Sequence, residues 1–193
     1  KVLRQKISNA LRKCPESIFV FDEVDMMAPG VLNAIVPFLD YSPVIYHEES
    51  NERLITHRAI YIFLSNTGSQ EILKTLVELW ENGKHRHETK LSDFENLISL
   101  GAFNEKGGFH KSDTISTSVI DHYVPFLPME QEHVIMCIKA AFSDRGYKAT
   151  AEEINEVLAH VTFGPPPHNL YAKSGCKRLE QKVASVVFRR YKD

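Results

Sequence analysis

The segment SIFVFDEVDMM, residues 17–27, contains the clearest signal of the fold class. Its four apolar residues IFVF are followed at once by Asp22 and Glu23, and Asp25 comes two positions later. A short continuous apolar run is typical of a strand that is buried on both faces of a parallel sheet. Because ligands of open α/β sheets bind at the carboxyl ends of the strands, these acids are candidate site residues. The alternative is a buried strand that leaves the sheet through an acidic turn.

The composition is that of an ordinary globular protein. Of the 193 residues, 43% are hydrophobic and 25% are charged, and the net charge is −2. This balance argues against nucleic acid as a partner, because phosphate backbones are bound by a basic excess. The chain begins inside an amphipathic pattern, and we interpret it as a piece of a longer protein whose targeting segment is not included.

Helix and strand signals alternate up to about residue 128, and only helix signals follow. We therefore predict an α/β domain over residues 1–128 and a small helical domain over residues 129–193. Strands are predicted at residues 17–22, 59–64 and 123–127, the last of them weakened by a proline. Helices are predicted at residues 1–13, 31–39, 69–82, 91–100, 129–145, 150–161 and 174–191. Residues 41–58 are predicted to be a long loop or a hairpin, most simply a solvated surface loop.

The second predicted strand also ends in polar residues, Ser65 and Asn66. If the two strands are adjacent and parallel, Asn66 lies beside Asp22 and Glu23. Acids at such a strand end order water on Mg²⁺ and polarise a water for attack on a phosphate. An Asn can hold that water or a phosphate oxygen without adding charge. Ser65 and Asn66 are equally suited to cap the next helix, and both roles are compatible.

Five segments together resemble the torsins, a family of AAA+ ATPases of the endoplasmic reticulum lumen and the nuclear envelope. In chain order they are SIFVFDEVDMM, VPFLDY at 36–41, IFLSN at 62–66, VPFLP at 124–128 and SGCK at 174–177. The resemblance covers nearly the whole chain. It implies a partial AAA+ nucleotide-binding domain, in which helices flank a parallel sheet, followed by a small helical lid.

The resemblance implies ATP and Mg²⁺ as cofactors and gives a role to each matching residue. Asp22 and Glu23 match the Walker B pair, in which Asp22 holds Mg²⁺ through water and Glu23 is the catalytic base. Asn66 matches sensor 1, and Lys177 matches sensor 2, a lid residue that reaches the phosphates. Asp25 is interpreted as a cap or as an acid that supports the site from outside it.

Two features depart from a complete AAA+ site. The 193 residues contain no G-x-x-x-x-G-K-[ST] loop, which the resemblance places upstream of the Walker B strand. We therefore expect this loop before Lys1 and expect the piece alone to be inactive. No arginine lies between Arg86 and Arg145, where the arginine finger of many AAA+ rings is found. The resemblance implies that a membrane-anchored activator with an AAA-like luminal domain donates it, and it leaves a homo-oligomer open.

The function implied by the resemblance is the coupling of ATP hydrolysis to the remodelling of protein or membrane assemblies. The alternative is a non-catalytic AAA-like binding or activator domain. The presence of Asp22, Glu23, Asn66 and Lys177 together argues against this alternative, because a decayed site has no chemical need for all four.

The cysteines raise a separate question. Cys137 and Cys176 match lid positions of the family, and the resemblance implies that the two face each other in the lid. A bridge between them would be a redox-sensitive disulfide beside Lys177. The alternative is two buried thiols, since free cysteine is often a core residue.

Overall fold

The computed structural model describes residues 1–40, 44–104, 107–109 and 119–190. The chain divides into two compact units, Lys1–Pro125 and Phe126–Asp193, and each is described by itself. The N-terminal unit contains α1 (Val2–Lys13), β1 (Ile18–Phe21), α2 (Val36–Leu39), β2 (Ile60–Phe63), α3 (Ser69–Glu81) and α4 (Glu95–Asn104). The C-terminal unit contains α5 (Gln131–Ser143), α6 (Ala151–Leu158), β3 (Phe163–Gly164), β4 (Tyr171–Ala172) and α7 (Leu179–Arg190).

Strands β1 and β2 pair in parallel, with Ile18 opposite Ile60 and Phe21 opposite Phe63. On the inner face of this sheet, aromatic rings stack across the two strands, and the centroids of Phe21 and Phe63 lie 5.0 Å apart. This face packs on the core of the unit. The fully buried side chains of that core include Leu11, Val24, Leu32 and Ile35.

The outer face of the same sheet is exposed. Ile18 and Val20 of β1 and Ile60 and Ile62 of β2 are between 40% and 64% exposed. The prediction of burial on both faces is therefore wrong for the residues that the structure describes. Burial alternates along each strand because only one face of the sheet meets the core of this unit.

Two further elements differ from the sequence-based prediction, and each contains a proline. No strand forms at residues 123–127, because Pro125 has no N–H to donate to a ladder. The predicted helix 31–39 is a 3₁₀ turn, Val31–Ile35, followed by the single α turn of α2, whose second residue is Pro37.

The loop at residues 41–58, of which 44–58 are described, is more than a solvated surface segment. Its charged residues are exposed as predicted, but Leu54 and His47 are buried, at 4% and 3% exposure. Nδ1 of His47 accepts the backbone N–H of Ser50 at 3.2 Å, so the ring carries its proton on Nε2. That Nε2–H donates to Oδ1 of Asn9 at 2.6 Å, and this hydrogen bond connects the loop to α1.

In the C-terminal unit, the three helices enclose a core that includes Val134, Ile138, Phe142, Val157 and Val183. The predicted helix 174–191 begins only at Leu179, because Gly175 and Arg178 have left-handed backbones that an α-helix does not admit. The antiparallel pair β3 and β4 was not predicted, because two-residue strands leave no periodic signal. Among the described residues, no helix has the length and apolarity needed to cross a membrane.

Candidate functional site

The first group of candidate residues lies at the carboxyl edge of the β1–β2 sheet. Past the last strand pair, the N–H of Leu64 donates to the carbonyl of Phe21 at 2.8 Å, and the N–H of Val24 donates to the carbonyl of Leu64 at 2.9 Å. The backbones therefore stay together beyond the strands. This arrangement brings Asp22 and Glu23 to the same edge as Asn66, as the parallel pairing predicts.

Asp22 and Glu23 are both exposed at this edge. Oδ1 of Asp22 accepts the backbone N–H of Glu23 at 2.9 Å. Glu23 has a left-handed backbone, φ 50° and ψ 48°, which costs a non-glycine residue about 1 kcal/mol. Within the described ranges, no cationic side chain lies within ion-pair distance of either carboxylate. Both acids are therefore open to a ligand, and strained backbones of this kind cluster at functional sites.

Asp25 is the acid that binds the second strand end. Its Oδ1 accepts the backbone N–H of Asn66 at 3.2 Å, and its Oδ2 accepts the side-chain Nδ2–H of Asn66 at 3.3 Å. The hydroxyl of Ser65 donates to Oδ1 of Asp25 at 3.3 Å. Asp25 therefore connects the turn after β1 to the turn after β2.

These hydrogen bonds keep Asp25 ionised down to a lower pH than an ordinary Asp. Burial raises the pKa of its carboxyl, but the N–H groups of Asn66 and the hydroxyl of Ser65 outweigh it, and the pKa lies below the ordinary value. Asp25 is consequently a carboxylate that only accepts hydrogen bonds.

The second group of candidate residues lies in the C-terminal unit, in a cleft of about 400 Å³ at the start of α7. A cleft of this volume is within the range that holds small ligands. Its lining residues are His160, Val161, Thr162, Ser174, Gly175, Lys177, Arg178, Leu179 and Lys182. Lys177, Arg178 and Lys182 are exposed cations, and no described acid belongs to the lining, so the cleft is suited to an anion.

Cys137 on α5 and Cys176 in the turn before α7 form a disulfide, with Cα atoms 6.2 Å apart. Of the two alternatives that the sequence leaves open, the structure therefore shows the bridge and not two thiols. Sδ of Met129 lies 3.2 Å from Sγ of Cys176, so the bridge contacts the Met129 side chain. Cys14 is an exposed free cysteine.

Glu130, Glu132 and His133 form a group whose ligand atoms lie within 4.8 Å of one another. This group lies at the first turn of α5, where the helix dipole disfavours a cation. Nδ1 of His133 already accepts the backbone N–H of Glu130 at 3.2 Å. These features indicate a helix cap.

Comparison with known proteins identifies the family of this chain. The family model of the AAA domain (Cdc48 subfamily) matches residues 4–100, and that of the Torsin-1A C-terminal domain matches residues 129–185. A torsin-like protein of Drosophila melanogaster is 39% identical over 193 residues, covering 96% of this chain and 55% of the relative. A torsin-like protein of Caenorhabditis elegans is 38% identical over 184 residues, covering 94% of this chain and 50% of the relative. This chain belongs to the torsin family of AAA+ proteins.

The torsin chain spans about half the length of the curated relatives that it matches. Its membership of an ATPase family implies nucleotide binding. Asp22, Glu23 and Asn66 lie at one edge in the N-terminal unit, whereas Lys177 lies in the C-terminal unit. The assignment of individual roles to these four torsin residues stays a prediction.

Sequence reasoning singled out Asp25 but did not identify its partner, and it missed two cations of the cleft and one packing contact. The contact of Asp25 with Asn66 has no sequence signal beyond an acid three positions after Asp22. Arg178 and Lys182 were not singled out, although their spacing of four residues within the predicted helix 174–191 would place them on one helix face. The packing of the segment Gly107–Phe109 against the Asp25 turn depends on tertiary contacts alone.

Proposed function

We propose that the protein that carries this chain is a torsin-type ATP hydrolase. It would remodel protein or membrane assemblies in the endoplasmic reticulum lumen or nuclear envelope. One observation carries the hydrolase proposal: the parallel pairing of β1 with β2 brings the acids after β1 and the amide after β2 to one sheet edge. Open α/β sheets bind their ligands at such an edge.

Glu23 is the proposed general base. Its left-handed backbone turns the chain out of the strand direction, and its carboxylate is exposed and has no described cationic partner. Such a carboxylate can accept a proton from a water that attacks the terminal phosphate. Asn66 supplies an amide at the same edge that can orient this water or hold a phosphate oxygen.

Asp22 fits a role in holding Mg²⁺, because it is an exposed carboxylate and Mg²⁺ prefers oxygen ligands and retains several waters. When bound, the ion would neutralise charge on the phosphates. Asp22 would hold it through water, while its Oδ1 keeps the N–H of Glu23 and so fixes the backbone of the proposed base.

Lys177 is the proposed lid contact to the phosphates. Its cleft contains two further cations, Arg178 and Lys182, and no described acid, so it favours a phosphate-bearing ligand. The segment between Arg86 and Arg145 contains no arginine. We therefore propose that an activator with an AAA-like luminal domain donates one, which is worth roughly a thousandfold or more in rate.

The experiment is a comparison of the full-length protein with its Glu23→Gln variant. The amide keeps the size and hydrogen bonding of Glu23 but cannot accept a proton. We expect Glu23→Gln to retain bound ATP, to lose hydrolysis in the presence of activator, and to stay in complex with that activator.

The control is Glu52→Gln, which removes an exposed carboxylate from the same unit and should hydrolyse ATP as the wild type does. Wild-type turnover by Glu23→Gln would refute the assignment of the base. Absence of ATP binding and hydrolysis in the wild-type full-length protein would instead support a non-catalytic AAA-like domain.

A further inference from the structure

We propose that Asp25 is a positioning residue that fixes the side-chain amide of Asn66 in the orientation needed at the site. The expected effect on catalysis rests on the proposed function. The contact between the two residues rests on geometry alone.

Asp25 contacts Asn66 through two hydrogen bonds. Asp25 accepts the backbone N–H of Asn66 with one carboxylate oxygen and the side-chain N–H with the other, at 3.2 and 3.3 Å. A single bond to the backbone would cap the turn but leave the side chain free to rotate. The second bond restrains the side chain of Asn66, so the residue that the proposed site uses has a fixed amide.

The contact also selects the direction of the amide. A carboxylate only accepts hydrogen bonds, and the NH₂ group of an Asn only donates them. The reverse orientation would place Oδ1 of Asn66 against an oxygen of Asp25, and two acceptors repel each other. Asp25 therefore turns the NH₂ group of Asn66 towards itself and leaves Oδ1 and the second N–H for a water or a phosphate.

Asp25 is itself held firmly. The segment Gly107–Phe109 packs against its turn, where the N–H of Gly108 donates to the carbonyl of Val24 at 2.8 Å. A Cβ on Gly107 would lie 2.8 Å from Cα of Asp25, so the backbones are in close contact. The hydroxyl of Ser65 adds a third donor to the Asp25 carboxylate. A positioning group must be rigid to position another, and this packing supplies the rigidity.

A cap without a catalytic role would make the same bonds, so the test must separate the two. The first measurement is the mobility of the Asn66 side chain, read from ¹⁵N relaxation of its NH₂ group in the ligand-free chain. We expect an NH₂ group as rigid as the backbone in the wild type and a mobile one in Asp25→Asn.

The matched control is Asp121→Asn, which removes an exposed carboxylate of the same unit and should leave the Asn66 signal unchanged. An Asn66 NH₂ group that is as mobile in the wild type as in Asp25→Asn would overturn the proposal. This measurement needs neither ATP nor activator, so it does not depend on the proposed function.

The second measurement is a double-mutant cycle on ATP hydrolysis by the full-length protein with activator. We expect Asp25→Asn to lower kcat about tenfold, the rate equivalent of a lost charge-assisted hydrogen bond, and to change KM less than twofold. If Asp25 acts through Asn66, the double variant Asp25→Asn, Asn66→Ala is no slower than Asn66→Ala alone.

If the losses in kcat from the two single substitutions multiply in the double variant, Asp25 does not act through Asn66. This result would overturn its positioning role. Failure of the proposed function has a different result: Glu23→Gln would then hydrolyse ATP as fast as the wild type, whatever the cycle gives. The two failures are therefore distinguishable.

Discussion

Cys176, which is bridged to Cys137, is also the residue directly before Lys177. The bridge joins α5 to the turn that begins α7, and this turn forms part of the cationic cleft. Any change in the bridge therefore acts on the backbone that carries Lys177.

Reduction of this disulfide should destabilise the C-terminal unit. The two cysteines are 39 positions apart, and the chain-entropy account gives about 3–4 kcal/mol for closing such a loop. We expect reductant to lower the melting temperature and the nucleotide affinity of the oxidised full-length protein, since a charge that contacts a phosphate is sensitive to small shifts.

Cys176→Ser should abolish the response to reductant, and Cys14→Ser should leave it intact because Cys14 is exposed and unbridged. Mass spectrometry of unreduced peptides tests the premise. A response that survives in Cys176→Ser would assign it to another group.

The cleft in the C-terminal unit should bind the phosphates of the nucleotide with more than one cation. Arg178→Gln and Lys182→Gln should each weaken ATP binding by the full-length protein about fivefold to tenfold, because each removes a charged donor from a cleft without a described acid. Titration calorimetry measures the change.

Lys148→Gln is the matched control, since it removes an exposed lysine of the same unit that does not line the cleft. If Lys148→Gln weakens ATP binding as much as the cleft variants do, the effect comes from the net charge of the protein and not from the cleft. Unchanged affinity in both cleft variants would restrict the contact to Lys177.

Gly107→Ala should destabilise the turn that carries Asp25. The added Cβ would lie 2.8 Å from both Cα and the carbonyl oxygen of Asp25, and the φ of Gly107 is 153°. We expect a loss of about 1–3 kcal/mol in the free energy of unfolding, measured with urea.

Gly30→Ala separates the steric contact from the backbone strain. Gly30 also has a positive φ, but a Cβ there would meet no atom within 4 Å. It should cost only the backbone strain, about 1 kcal/mol. If Gly107→Ala costs no more than this control, the close contact with Asp25 contributes nothing to stability.

Glu153 should make the stability of the C-terminal unit depend on pH. The backbone N–H of Thr150 lowers the pKa of Glu153 most; burial opposes it, and the Thr150 hydroxyl and Arg190 lower it further. Because the folded pKa is below the unfolded one, the stabilisation is present above the unfolded value, about 4.3, and is lost as the pH falls through the folded value.

Glu153→Gln should therefore lower the free energy of unfolding by about 1 kcal/mol at pH 7, and the difference from the wild type should vanish towards pH 3. Urea unfolding at several pH values measures this. Glu152→Gln, an exposed neighbour in the same helical turn, should change little at any pH. If the free energies of unfolding of Glu153→Gln and the wild type differ by the same amount down to pH 3, the charge of Glu153 is not the cause of the stabilisation.

Patterns in the sequence alone predicted most of the local elements and the residue types at the sheet edge. Apolar runs ending in Asp22–Glu23 and in Ser65–Asn66 predict two strands with polar carboxyl ends, and the structure confirms their parallel pairing. These signals are readable because strand periodicity and turn chemistry depend on neighbours along the chain. The pairing of Cys137 with Cys176 followed from the family resemblance and not from spacing.

The contacts between polar groups that are distant in the sequence are visible in the folded chain alone. The carboxylate of Asp25 contacts Asn66, 41 positions away, and His47 fastens its loop to Asn9, 38 positions away. Likewise, the one-sided burial of the sheet is set by packing, and the left-handed turn at Arg178 has no signal in the sequence. Hydrogen bonds between distant residues require both groups at about 3 Å with the correct direction, and no pattern in the sequence encodes that distance.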